Sequence, residues 1–160
     1  MKEDCCFSKG NNWFRYRTGA FILHDGKLLF VKSRFGGYYY MIGGAVQLGE
    51  TSEDCIIREV REEAGITARA ERLAVVTENF FKGKDGIFDG MDCHVLEFYY
   101  ILRMEEGSVK KEVNDEGEEL CWLTVQEAKE ADIKPSFIPE RIEEILGSNN
   151  ILHIIEERDR

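Results

Sequence analysis

Apolar and polar positions alternate along this chain in blocks that predict strands first and helices last. Arg17 to His24 (RTGAFILH) is a largely apolar run that reads as a mostly buried strand. Asp25-Gly26 supplies a two-residue turn into a second run, Lys27 to Lys32 (KLLFVK), so a hairpin is expected. Ser33 to Tyr40 contains Gly36-Gly37 and three tyrosines, a loop entering a further short strand that Gly43-Gly44 interrupts. A helix is predicted from a Thr51 or Ser52 cap to about Ala64, with Asp54 completing a weak capping box and Gly65 placed as its left-handed stop. Arg72 to Phe81 and His94 to Met104 read as strands on either side of a Gly- and Asp-rich loop, Lys82 to Asp92. Glu119 to Leu123 is a further strand candidate. Val125 to Ala131 and Glu140 to Leu146 have helical patterns, Pro139 suiting the second helix's first turn, and Leu152 to Ile155 closes with a short strand. The order predicts an α+β or α/β sandwich, with no internal repeat and no linker.

Composition narrows the partners. A chain of 160 residues fits one compact domain, residues 1–160. Its 21 Lys and Arg stand against 31 Asp and Glu, a net charge of −10. Such a surface repels a polyphosphate backbone and disfavours a nucleic-acid polymer as a general partner, whereas a small phosphorylated ligand remains compatible if a divalent cation accompanies it. The five cysteines form no Cys-x-x-Cys and no even framework, which points to a reducing, cytoplasmic setting. The first residues lead into no long apolar run, so neither a secretory signal nor a membrane span is expected.

The chemistry concentrates between Gly44 and Ile66. On the predicted helix Glu59, Glu62 and Glu63 fall within a third of the circumference, at about 100° per residue. Ile56, Val60 and Ala64 form the adjoining apolar stripe. Like charges at spacings of three and four each cost a few tenths of a kcal/mol, on the order of 0.2–0.5. They also crowd the helix C-terminus, the wrong end of its dipole for anions. For Glu-x-x-Glu-Glu alone a solvated acidic face is the plainer explanation. A hard divalent cation such as magnesium or manganese, however, would reverse the sign of the repulsion.

The full pattern decides between these readings. Gly44, Glu50 after five residues, then after seven more Arg58-Glu59-Val60-Arg61-Glu62-Glu63-Ala64-Gly65-Ile66 resembles the Nudix box at every specified position. Seven positions demand one residue type of roughly 6–7% frequency, so a chance match at a given start is on the order of 10⁻⁹. The chain thus resembles the Nudix, or MutT-like, superfamily. The hairpin ahead of the box, the strands after it and Trp122-Leu123 before a C-terminal helix occur in similar order there. Glu78-Asn79-Phe80-Phe81 and His153 to Arg158 resemble a bacterial subgroup. One departure is Ile42, where such proteins usually carry Pro, whose fixed φ would stiffen the turn.

The resemblance implies an α/β/α sandwich, with a mixed β-sheet flanked by helices. It also implies Mg2+- or Mn2+-dependent hydrolysis of a phosphoanhydride in a nucleoside diphosphate linked to another group. ADP-ribose, a nucleotide sugar, a dinucleotide or a noncanonical triphosphate are the substrate types. By the same resemblance Glu59 and Glu63 are the principal metal ligands, with Glu62 sharing an ion or positioning water and the Gly44 carbonyl facing the metal. Glu50 orients the cluster and Arg58 holds it by pairing with a carboxylate. The general base would be Glu62 or a carboxylate outside the box, where Glu97, Glu116, Glu118 and Glu119 are the candidates. Arg34 and Phe80 are the candidate substrate contacts, one for a phosphate and one for stacking a base. Homodimerisation is expected from the resemblance alone. The alternative is a non-catalytic nucleotide sensor, and retention of every box glutamate favours the enzyme.

Overall fold

The computed structural model describes residues 2–108 and 110–158, with the side chain of Arg158 excepted. Nine strands form one sheet: β1 (Cys6–Lys9), β2 (Asn12–His24), β3 (Lys27–Lys32), β4 (Tyr39–Tyr40), β5 (Gly43–Ala45), β6 (Ala68–Lys82), β7 (Asp92–Met104), β8 (Glu119–Thr124) and β9 (Leu152–Arg158). Three α-helices accompany them: α1 (Ser52–Ala64), α2 (Val125–Glu130) and α3 (Phe137–Gly147). The central order is β4-β3-β2-β7-β6-β9, with β1 and β5 also paired to β2 and β8 to β3. β2 runs parallel to β7 and β6 parallel to β9, while the remaining pairs are antiparallel, so the sheet is mixed and the class is α+β.

Successive side chains of a strand point to opposite faces, and here both faces are covered. Ala20, Ile22, Leu29, Val31 and Leu102 pack with Ile56, Val60 and Ala64 of α1. Phe21, Leu28, Phe30, Tyr99 and Ile101 pack with Ala128 of α2 and with Phe137, Ile138, Ile142 and Ile145 of α3. That double coverage is why Phe21 and Ile22 are both apolar although neighbours. No helix among the described residues is long and apolar enough to cross a membrane.

Several element ends lie beyond their predicted limits. β2 begins at Asn12 rather than Arg17, because β1 folds back on its first half and β7 extends alongside it. That half is only partly covered, so it carries no continuous apolar run. β6 likewise starts at Ala68, α3 at Phe137, and β9 runs past Ile155. Asp25 and Gly26 take φ of 50° and 73°, the left-handed pair that the tight hairpin turn requires.

The helix that carries the acids is capped as the sequence predicts, with one difference. Thr51 is the N-cap and its Oγ1 accepts from the Asp54 amide at 3.1 Å. The Asp54 carboxylate accepts from the Thr51 hydroxyl at 2.8 Å instead of reaching back to the cap amide. Aspartate is one methylene shorter than the glutamate that closes a capping box. Ser52, the other cap candidate, pairs its hydroxyl with that of Tyr100. Gly65 ends the helix at φ 69°. Ile42 packs its side chain into the α1-side core and its carbonyl accepts from the Ala20 amide. Packing therefore anchors a turn that proline would have stiffened through its ring.

Candidate functional site

The buried stripe of Ile56, Val60 and Ala64 fixes how α1 lies on the sheet, and that orientation decides where its glutamates go. Glu59, Glu62 and Glu63 line a cavity of about 250 Å³ together with Tyr40, Asn114, Asp115 and Glu116. The structure thus brings the three predicted glutamates together and adds four residues of which only Glu116 was among the sequence candidates.

Arg58 organises the acid side. Its Nε and Nη2 donate to the two oxygens of Glu50 at 2.8 and 3.0 Å, a bidentate pair, and Nη1 donates to Glu59 at 2.9 Å and Glu62 at 3.2 Å. Glu50 also accepts from the Gln47 amide at 3.0 Å, which ties the loop before α1 to the helix. The Arg58 pair, reinforced by that amide, holds the Glu50 carboxyl below the usual carboxylate range. Lys111 donates to the Glu62 carbonyl at 2.8 Å, setting a cation at the helix C-terminus, where the dipole favours one.

Glu63 is the acid that Arg58 does not reach through any of these bonds. Burial pushes its carboxyl up to about 7, the charge of Glu59 adds to that rise, and Arg17 opposes it. Burial likewise raises Glu59, against the pull of Arg58. Burial thus works against the charge of both neighbouring carboxylates, opposed by Arg58 at Glu59 and by Arg17 at Glu63.

Gly44 lies against this cluster. A Cβ added there would sit 2.4 Å from the Glu59 carboxylate, so only glycine allows the backbone that close. A loop pressed onto a carboxylate and three glutamates on one helix face form an all-oxygen donor set suited to a hard divalent cation. Among the described residues no three His, Cys, Asp or Glu side chains are drawn together as a ready-made cage. Glu59 and Glu62 instead turn towards Arg58. The fit to a metal rests on donor chemistry and the close approach of Gly44.

The rim is made by the segment from Asn114 to Glu118. The Asn114 carboxamide oxygen accepts from the Glu116 and Glu118 amides, and buried Glu118 accepts from the Tyr40 hydroxyl at 2.6 Å and the Arg34 amide at 3.2 Å. Burial would raise Glu118, but the Tyr40 hydroxyl and the Arg34 amide bring it below its ordinary value. Arg34 donates from Nη1 to the Glu116 carbonyl at 2.8 Å, which puts it beside the acid cavity. Phe80 lies elsewhere. It stacks on His94 with ring centroids 4.3 Å apart and lines a second cavity with Asn12, Phe81, Asp92 and Cys93. Glu119 pairs in β8 with Lys32, away from the acids of α1.

Glu97, one of the candidate bases, is buried in β7 and accepts from Arg17, Thr77 and Tyr99. Arg17 was not singled out in the sequence. The signal for it is a parallel register, Arg17 opposite Glu97, between segments 80 residues apart.

Known proteins resemble this chain in sequence and in fold. The NUDIX domain family profile matches residues 13–141. The chain is 27% identical over 113 residues to a MutT-like protein of Streptomyces ambofaciens, covering 71% of this chain and 65% of that one. It is 30% identical over 89 residues to an ADP-ribose pyrophosphatase of Methanocaldococcus jannaschii, covering 54% of this chain and 48% of the relative. The matched region thus spans about half to two thirds of these relatives' lengths. A crystal structure of a MutT protein from Bacillus halodurans superposes with a TM-score of 0.68 at 18% identity, covering 87% of this chain and 86% of that one. Taken with the box from Gly44 to Ile66 and the sheet that carries it, the match over residues 13–141 shows that this chain belongs to the Nudix family.

Proposed function

We propose that this protein hydrolyses a phosphoanhydride bond in a small nucleotide, a nucleoside diphosphate joined to a further group. The observation that carries the reading is one acidic cavity lined by Glu59, Glu62 and Glu63, with Gly44 pressed against the Glu59 carboxylate. Relatives named as an ADP-ribose pyrophosphatase and as a CTP pyrophosphohydrolase support the substrate class.

Glu59, Glu63, Glu62 and the Gly44 carbonyl are the groups that would hold magnesium or manganese. When bound, such an ion neutralises the carboxylates, polarises phosphoryl oxygens and lowers the pKa of water. The side chains do the rest. Glu50 locks Arg58, and Arg58 keeps Glu59 and Glu62 on one side of the helix. Glu62, whose side chain is 56% exposed, accepts a proton from water entering the cavity in this reading. Water oxygen bonds to one phosphorus while the bridging oxygen departs with the other, giving a nucleoside monophosphate and the phosphorylated form of the other group. Arg34 braces the rim that admits the substrate.

The test is release of nucleoside monophosphate from a panel of nucleoside diphosphate derivatives, with magnesium or manganese and with Glu63→Gln beside the native chain. Turnover of at least one compound that disappears in the variant is the expected result. Tight nucleotide binding without turnover across the panel would replace the hydrolase reading with a sensor.

A further inference from the structure

On the far side of the thin β5 strand from Glu59, the structure holds a second charged cluster that the box does not contain. Two adjacent glycines separate them. A Cβ on Gly44 would strike the Glu59 carboxylate, whereas a Cβ on Gly43 would lie 2.9 Å from Arg17 Nη2 and closer still to the Thr18 carbonyl. Gly19 clears space in the same way for the Tyr99 ring, 2.6 Å from where its Cβ would be. Two strands thus give up side chains to seat Arg17 and its surroundings.

The hydrogen bonds around Glu97 are unevenly shared. One carboxylate oxygen accepts from Thr77 Oγ1 at 3.1 Å, and the other accepts from the Tyr99 hydroxyl at 2.9 Å and from Arg17 Nη1 at 3.1 Å. Thr77 and Tyr99 already solvate the carboxylate, so Arg17 is held by a single arm. Its Nε is the buried side-chain nitrogen or oxygen without a hydrogen-bond partner among the described residues. The Glu97 side chain is 7% exposed and that of Arg17 29%, so part of the arginine still meets solvent. Arginine–carboxylate pairs are frequently bidentate, and this one is not. The guanidinium is oriented by the carboxylate and keeps donors in reserve.

The neighbouring cations are committed. Arg58 is spent on Glu50, Glu59 and Glu62, Lys111 on Asp115 and the Glu62 carbonyl, and Arg34 gives Nη1 to the Glu116 carbonyl. Arg17 lies one step along β5 from the acids, its Nη2 2.9 Å from where a Gly43 Cβ would sit, next to the glycine that lies against Glu59. We propose that Arg17 binds a phosphoryl group of the substrate and that Glu97, itself fixed by Thr77 and Tyr99, is the residue that positions it. The planar fork of a guanidinium matches two phosphoryl oxygens, and the part of Arg17 that meets solvent is where an anion would reach it. The proposal rests on the hydrolase reading above for its substrate, but its ligand chemistry is simply a diphosphate.

The experiment uses the full chain in native, Arg17→Ala, Arg17→Lys and Glu97→Gln forms. The probe is methylenediphosphonate, whose P–C–P bridge resists hydrolysis, titrated calorimetrically with Mn2+ present. Mn2+ affinity alone is read in parallel by electron paramagnetic resonance. Arg17→Ala is expected to weaken methylenediphosphonate by about 10- to 100-fold, the worth of a charged hydrogen-bonded contact, while Mn2+ affinity stays within about twofold. Arg17→Lys, which keeps the charge but not the fork, should fall between, and it decides the matter if the alanine form does not fold. Glu97→Gln should lose several-fold in diphosphonate affinity and, in turnover, raise KM more than it lowers kcat. The proposal is overturned if the native chain does not bind methylenediphosphonate. It is also overturned if the Arg17 variants bind it as tightly as the native chain, or if they lose Mn2+ in proportion. Turnover that needs Glu63 but not Arg17 sinks this inference alone. Arg17-dependent diphosphonate binding without any turnover sinks only the hydrolase reading.

Discussion

The two charged clusters on either side of β5 are built in opposite ways. The acid cluster draws Glu50, Arg58, Glu59, Glu62 and Glu63 from 14 consecutive positions of one loop and helix. The Arg17 cluster draws from β2, β6 and β7, joined by ladder register. The first has a surplus of negative charge, with Glu59 and Glu63 both raised. The second is nearly balanced, one cation on one carboxylate with two neutral donors. A helix can concentrate like charges because its own hydrogen bonds hold them there. A buried cross-strand cluster must satisfy each polar atom or lose stability.

That contrast can be tested by removing members of each cluster. The largest expected effect is on activity in the acid cluster. Glu63→Gln should lower turnover by about 10³-fold, or roughly 4 kcal/mol of transition-state stabilisation, with little change in urea-melt stability. A loss of less than about tenfold would remove Glu63 from the site. Next, Glu97→Leu should destabilise the fold by about 2–3 kcal/mol in urea melts, because Arg17, Thr77 and Tyr99 lose their common acceptor. An unchanged midpoint would show that the cluster is not a structural unit.

Gly44→Ala is smaller, about 1–2 kcal/mol, since the new methyl displaces the far end of a flexible glutamate. Its diagnostic is a larger relative loss of Mn2+ affinity than of stability, read by calorimetry on the same preparation. The smallest effect is on the pH dependence of the metal-free chain. Glu63 has a folded-state value of about 7 against 4.5 for the free side chain, so the folded state holds its proton more tightly. Stability from that difference is fully present below 4.5 and is lost as pH rises through about 7. Melting temperature in a chelator should therefore decline across this window, and Glu63→Gln should flatten the decline. A native profile that is flat or rising, with no difference in the variant, would contradict the burial of Glu63.

Much of this was legible before folding was considered. The helix, its cap at Thr51 or Ser52, its Gly65 stop and the shared face of Glu59, Glu62 and Glu63 follow from short-range spacing, while the pairing of Arg58 with a carboxylate came with the family resemblance. The hairpin at Asp25-Gly26 likewise followed from short-range spacing. The extension of β2 to Asn12 was not legible, since a partly covered strand lacks a continuous apolar run. Neither was the lining of the acid cavity by Tyr40, Asn114 and Asp115, which depends on a rim folded back by Glu118 onto Tyr40 and Arg34. The sequence offered Phe80 as an aromatic near the chemistry, and the register of β6 with β7 set it opposite His94 in a different cavity.

By itself, then, the sequence determined the helix, its acids and its family pattern, because an α-helix repeats every 3.6 residues and converts spacing directly into a face. Only the tertiary structure decided which buried carboxylate meets which cation. Strand register is set by the packing of both sheet faces, and a shift of one residue would have pointed Arg17 away from Glu97.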